Sequence, residues 1–334
     1  MKPVIFGLSG PTLTPDEIAL FRAADPLGYI LMGRNCVDRD QMRALTDALR
    51  DLSGRADLPI LIDQEGGRVA RMKPPVWPAF PAPSAFAALY DRAPSSAIAA
   101  AKANGQALGV MLAEVGVTVD ATPLLDVAQA DMTGAIGDRS FGADPMQVAA
   151  LGRATLDGLA AAGIVGIVKH MPGHGRATVD SHLELPCVSA PADALEQDIA
   201  PFATLASAPM AMTAHVVFEA WDAEHPATLS PTVIRDVIRG RIGFDGLLMT
   251  DDIDMKALSG APADKAAAAI AAGCDVVLDC WARLDEMTAI ADRLEEIAPV
   301  SRARLDRAMA GIGSAGAMEI ADLIATRDRL LAIA

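Results

Sequence analysis

Cysteine is scarce in this chain of 334 residues: Cys36, Cys187, Cys274 and Cys280 are the only four, and no two form a CxxC pair. That spacing excludes a disulfide-framed secreted scaffold and a zinc-ribbon arrangement, and reads as buried, reduced thiols of a cytosolic protein. Aromatic residues make up only 4% of a composition that is 52% apolar, so the apolar content is mostly Ala, Leu, Val and Ile. Such a balance suits Ala-rich helices packed around Val/Ile strands. No run approaches about 18 apolar residues, and Val4 to Leu8 is too short for a signal peptide. The expectation is a soluble, cytoplasmic protein. Positive charge is also in short supply, with 28 basic against 43 acidic residues and a net charge of −15. That field repels nucleic acid and anionic lipid, so neither is an expected partner, and any basic side chain in a cleft needs a local reason to be there.

What the chain does have is alternation. Short apolar runs trade places with amphipathic, helix-prone segments from end to end. Strands are expected at Val4–Leu8, Gly28–Met32, Pro59–Asp63, Val117–Val119, Val165–Lys169, Met210–Ala214, Leu247–Thr250 and Asp275–Leu278. A helix opens after Thr14-Pro15-Asp16-Glu17, where an N-cap precedes a first-turn proline. Others are expected over 40–52, 95–114 and 145–162. About eight βα units with strands buried on both faces, and no GxGxxG fingerprint, predict a single (β/α)8 barrel over an open sheet. No linker, repeat or low-complexity tract divides the chain, so one barrel domain is expected over 1–334. The Pro-rich stretch from Pro74 to Pro83 is expected to be a loop inside it.

Polar residues recur where those strands end: Arg34-Asn35, Asp63, Asp126, Lys169-His170, His215 and Asp251-Asp252. In a barrel all such ends face one mouth, where active sites are built. The densest cluster is Lys169-His170-Met171-Pro172-Gly173-His174-Gly175 with Asp180-Ser181-His182, which holds three of the five histidines. Asp180 and His182 are two apart, on the same side of an extended backbone. A carboxylate beside an imidazole fixes its tautomer and makes an acid/base that works near neutral pH. Gly173, Gly175 and Pro172 suit the tight turns of a mobile loop. His170, His174 and His182 could instead hold zinc, although Pro172 and Gly173 break any helical ligand spacing. Lys169 could be a Schiff-base lysine or a hydrogen-bond donor to substrate hydroxyls. At the end of Gly246–Thr250, Asp251 could act as a nucleophile or, with Asp252, cap a helix. Asp63 could grip vicinal hydroxyls with Arg71 reaching the same ligand, while Glu65 and Arg68 read as ion-pairing scaffold.

Taken together these motifs resemble glycoside hydrolase family 3, specifically its single-domain bacterial β-N-acetylhexosaminidases. The 169–182 segment is similar to that family's KH-F/I-PGHG…DSH signature. Asp63 to Arg71 resembles DQEGGRVxR, Ile136 to Phe141 resembles IGxRSF, and Thr250-Asp251-Asp252 resembles SDD. The matches run in family order from Arg34-Asn35 to about Leu278. The resemblance implies Asp251 as nucleophile, His182 as general acid/base oriented by Asp180, and Asp63, Arg71, Arg139, Lys169 and His170 as sugar-binding residues. It implies no metal and no cofactor, and His170 then contacts substrate. The implied substrates are N-acetylglucosaminyl-anhydro-muropeptides of cell-wall recycling, and the expected state is a monomer. Met171 stands where the family has an aromatic or Ile, and Ile253-Asp254 follow Asp252 where Leu-Ser is usual; neither change touches a reacting group. The second domain of larger members, which can supply a carboxylate acid, is not expected here, consistent with the use of His182. Three alternatives stay open: a phosphorylase, because an imidazole does not repel incoming phosphate as a carboxylate would; a Lys169 aldolase; and a non-catalytic sugar-binding barrel.

Overall fold

The structure, a computed structural model, describes residues 1–313 and 319–333. Eleven strands follow one another among the described residues. They are β1 (Lys2–Gly7), β2 (Pro26–Leu31), β3 (Ile60–Ile62), β4 (Val119–Asp120), β5 (Val165–Met171) and β6 (Cys187–Val188). Then come β7 (Met210–Thr213), β8 (Val217–Phe218), β9 (Asp222–Pro226), β10 (Leu247–Asp252) and β11 (Val276–Asp279). Eight of them close a parallel barrel in the order β1, β2, β3, β4, β5, β7, β10, β11, with β11 pairing back onto β1. The expected (β/α)8 barrel is the observed fold. The short strands β6, β8 and β9 form a separate small sheet that the apolar runs do not announce.

Each barrel strand buries residues on both faces, and they divide between two layers. Ile5, Leu61, Val119, Val165, Ile167, Met210, Met212, Leu247, Met249, Val276 and Leu278 fill the barrel interior. Val4, Phe6, Ile60, Ile62, Val168, Ala211, Leu248 and Val277 face the surrounding helices. That is the period of two of a β-strand, written in apolar residues on both sides. Helices follow the strands, among them Pro15–Ala24, Arg39–Ser53, Pro94–Glu114 and Pro145–Ala161, within one residue of the expected bounds. The first opens as predicted: Thr14 caps Glu17 N–H, the Glu17 carboxylate returns to Thr14 N–H, and Pro15 occupies the first turn. Residues 74–82 carry no regular element, and Pro83 starts a helix to Tyr90.

Three helices follow β11, at Leu284–Arg293, Pro299–Met309 and Ile320–Leu331. Leu305, Ala308 and Met309 of the Pro299–Met309 helix belong to the interior cluster, so this helix plugs one end of the barrel. Ser301 Oγ and Arg304 hold it to the buried carboxylate of Asp275, at 2.6 and 3.0 Å. Asp275 directly precedes β11, so the plug lies at the N-terminal ends of the strands. The opposite, C-terminal end is left for chemistry.

Candidate active site

Three of the inward-facing rows of side chains end in a charged group at that opposite mouth. Leu61 is followed two residues on by Asp63, Val165 and Ile167 by Lys169, and Leu247 and Met249 by Asp251. These residues, with Arg71, Arg139, His170, Asp180, His182 and Trp281, border a cavity of about 360 Å³. All eight residues expected to bind or react lie on this one cavity.

Its charged floor is tightly paired. Lys169 Nζ, only 3% exposed, lies 2.7 Å from Glu65 Oε1 and 3.1 Å from Asp63 Oδ1. Burial works against its charge, but the two carboxylates outweigh burial and raise its pKa. Arg71 donates to the other oxygen of Asp63 at 2.9 Å. Burial opposes the charge on Asp63 too, and Lys169 and Arg71 overcome it, holding the carboxyl well below its usual range. Arg139 forks onto Glu65 with two bonds of 2.8 Å and donates a third to Ala135 O at 3.0 Å. Arg68 pairs with Asp138 at 2.8 Å and donates to the carbonyls of 134–136. Glu65 and Arg68 are the scaffold they were expected to be, and Arg139 shares that work while bordering the cavity.

His170 takes its orientation from Asp126. The Asp126 carboxylate lies 2.8 Å from His170 Nδ1 and accepts the backbone N–H groups of His170 and His174 at 3.2 and 2.7 Å. Burial again opposes its charge, and His170 and His174 overcome this to bring the group down to about 2. The other ring nitrogen of His170 lies 3.9 Å from Asp251 Oδ2. Asp251 accepts Asp252 N–H at 2.8 Å. Burial disfavours its charge, but His170, His215 and that N–H together lower its pKa, so it is an ionised carboxylate with 20% of its side chain open.

Asp180 and His182 form the expected pair, with Nδ1 and Oδ1 2.8 Å apart and the His182 backbone N–H donating to the same oxygen at 2.9 Å. The His182 side chain is 64% exposed. The loop carrying it is not hinged on its glycines. Pro172, Gly173, His174 and Gly175 are all buried, and a Cβ on Gly175 would sit 1.9 Å from the Val127 carbonyl oxygen. The glycines therefore anchor the first half of the loop by close backbone approach, and the exposed half, 182–185, contains none. His174 belongs to the anchor. Its Nε2 lies 3.2 Å from Ser181 Oγ, and burial, then His170, lowers its pKa to about 4. Nor do the histidines gather as zinc ligands: His170 faces Asp126, His174 faces Ser181 and His182 faces Asp180. No group of three or more His, Cys, Asp or Glu among the described residues could hold a metal ion.

The family model for the glycosyl hydrolase family 3 N-terminal domain matches residues 19–314. The chain belongs to glycosyl hydrolase family 3. A β-hexosaminidase of Alkalilimnicola ehrlichii is 40% identical over 312 residues, spanning 92% of this chain and 88% of that protein. One from Bordetella pertussis is 39% identical over 298 residues, spanning 88% and 83%. Among solved structures, NagZ from Neisseria gonorrhoeae in complex with N-trifluoroacetyl-D-glucosamine is similar with a TM-score of 0.88 and 30% identity, covering 99% of this chain and 98% of its own. The chain is thus a glycoside hydrolase.

In this family 3 barrel, the residues without an expected role are those that hold the others. Asp126 and His215 were visible only as polar strand ends. His215 is buried, its Nδ1 2.7 Å from Thr228 Oγ1 and its Nε2 3.0 Å from the Asp252 carbonyl oxygen. Trp281, one residue after Cys280 on the cavity, carries no signal in the sequence, because a lone aromatic just past an apolar run looks like more of the core. No helix is long and apolar enough to cross a membrane among the described residues.

Proposed function

We propose that this family 3 glycoside hydrolase is a retaining exo-β-N-acetylglucosaminidase, acting as one catalytic barrel domain over 1–334. The observation that carries the reading is the ionised Asp251 at the end of an inward-facing row, sharing its cavity with the His182–Asp180 pair. Asp63, Arg71, Lys169 and His170 hold the terminal sugar by its hydroxyls, and Arg139 both borders the sugar and locks Glu65. Asp251 attacks the anomeric carbon, forming an ester as the glycosidic bond breaks, and His182 gives its proton to the departing oxygen. Water then attacks the anomeric carbon of that ester, His182 takes the water's proton, and the bond to Asp251 breaks to release the carboxylate. Most retaining enzymes use two carboxylates about 5 Å apart; here an imidazole steered by Asp180 replaces one. Lys169, kept protonated between Glu65 and Asp63, has no free electron pair for Schiff-base chemistry. The substrates we assign are N-acetylglucosaminyl-anhydro-muropeptides, hydrolysed in the cytoplasm by a monomer, with no metal and no cofactor.

Asp251→Ala is expected to lower turnover of a nitrophenyl β-N-acetylglucosaminide by at least about a thousandfold. Near-normal activity would remove Asp251 from the nucleophile role. His182→Ala should cost about 100-fold or more on substrates with poor leaving groups and far less on the nitrophenyl glycoside, because an acid matters where the leaving group needs a proton. Equal losses on both would take the acid role from His182. With added phosphate the product should remain the free sugar; accumulation of a sugar 1-phosphate would reassign the enzyme as a phosphorylase.

A further inference from the structure

Trp281 borders the cavity mouth, yet its surface is 56% exposed. It is one of three tryptophans, and Trp77, by contrast, is buried. An open indole costs an apolar surface in water, and at a cavity rim that surface is available to a ligand. The ring is also held in place from both sides along the chain. Before it, the Cys280 carbonyl oxygen accepts a hydrogen bond from Arg34, and Gly7 leaves that carbonyl room, since a Cβ there would lie 2.3 Å from it. The Cys280 N–H meanwhile donates to Asp252 at 3.3 Å, tying the strand end to the residue beside Asp251. After it, Ala282 adopts the left-handed conformation with φ 59°, a backbone state that a residue with a side chain takes up only when its surroundings impose it. Arg283 is then fixed by Asp254 at 2.7 Å and by Glu286, and its guanidinium lies 5.9 Å from the indole centre. The backbone that carries this large apolar ring is thus pinned on both sides at the mouth, which lowers the ordering needed when a ligand meets it.

We propose that Trp281 is a specificity residue, the platform on which the leaving-group sugar of the substrate stacks by the flat face of a second pyranose ring. The proposal rests on the exo-glycosidase reading above. The terminal sugar fills the charged floor between Asp63, Lys169 and Asp251, so the next ring must lie outward of it, toward the rim. Trp281, exposed and lining the same cavity, offers that ring an apolar face. An apolar platform recognises the C–H face of a pyranose without demanding a particular hydroxyl pattern, and so selects for a ring rather than for one named sugar.

The test compares two substrates with the same terminal sugar: N,N′-diacetylchitobiose, which carries a second pyranose, and β-N-acetylglucosaminyl fluoride, whose leaving group is a single atom. For Trp281→Ala the ratio of kcat/KM for disaccharide over fluoride should fall about tenfold from the wild-type ratio, and Trp281→Phe should recover most of it. An unchanged ratio in Trp281→Ala overturns the proposal, whether both rates hold or both fall together. A wild type that cleaves the fluoride but not the disaccharide overturns it as well. A wild type inert on both substrates instead sinks the glycosidase reading itself, and the stacking role with it.

Discussion

Asp251, Asp252 and Asp279 are chemically identical side chains within one end of one barrel, and their surroundings drive them apart. His170 and His215 draw Asp251 down despite its burial. Burial, then the charge on Asp251, pushes Asp252 up to about 6. Burial, then Asp252, Asp254 and Glu286, pushes Asp279 up to about 7. Groups of one kind held at different proton affinities suit divided roles: Asp251 keeps its charge to attack, while Asp252 and Asp279 take up protons at a higher pH than a free carboxyl does. Asp279 gives a clean consequence. Its folded-state pKa lies above the unfolded value, so the stability it confers is full below about pH 4 and is lost as pH rises through 7. Asp279→Asn removes that titration. Relative to wild type the variant should gain stability on going from pH 5 to pH 8, by up to about 2.5 kcal/mol, measured by urea unfolding at both pH values. A wild-type-to-variant difference that does not change with pH would contradict the assignment. Their place at strand ends already put Asp63, Lys169 and Asp251 at one mouth of the barrel. It could not say that Arg139 would spend three bonds on Glu65 and Ala135, because that depends on a partner 74 residues away.

The loop between β5 and β6 shows what pattern reading gains and loses at the scale of an element. Its Gly and Pro residues marked irregular backbone correctly, but composition does not distinguish a glycine that swings from one that lets two backbones touch. Gly175 is of the second kind. Gly175→Ala drives a methyl group into the Val127 carbonyl, one residue from Asp126. It should destabilise the fold by about 1–3 kcal/mol and lower kcat more than it raises KM, since it shifts the backbone whose N–H groups Asp126 holds. A wild-type melting temperature with unchanged kcat would show that the loop yields at this point. Regular elements were easier to read. Strand ends fell within a residue or two of expectation because both faces are apolar over their whole length. The sheet of β6, β8 and β9 is not legible in the sequence because its strands are two to five residues long, and β9, DAEHP, carries no apolar alternation.

Across the whole molecule, acid should be the limiting condition. Asp63, Glu65, Asp126 and Asp251 are all drawn below their ordinary range by cations or imidazoles around the cavity. A lowered carboxyl contributes stability that is present above its unfolded pKa, near 4, and is lost as pH falls. His174, buried with its pKa lowered to about 4, adds a loss that begins below about 6.5. The urea midpoint should therefore fall more between pH 5 and pH 3 than between pH 7 and pH 5. Equal falls over the two intervals would mean that the cavity's ion pairs do little for the fold. The barrel was legible at this scale from the count of βα units. The plug at its base was not: Pro299–Met309 lies beyond the eighth strand, where no periodicity says which end of a barrel a helix will close.

The inward-facing rows carry one more consequence, for anyone who would engineer this protein. Leu247, Met249 and Asp251 are successive floors of a single column, and Met212 stands in the column beside it. The usual licence to redesign a buried layer for thermal robustness, on the assumption that catalysis happens elsewhere, does not hold here. A methylene added or removed two floors down tilts the carboxylate above it, so the interior of this barrel is part of the enzyme's alignment rather than ballast beneath it.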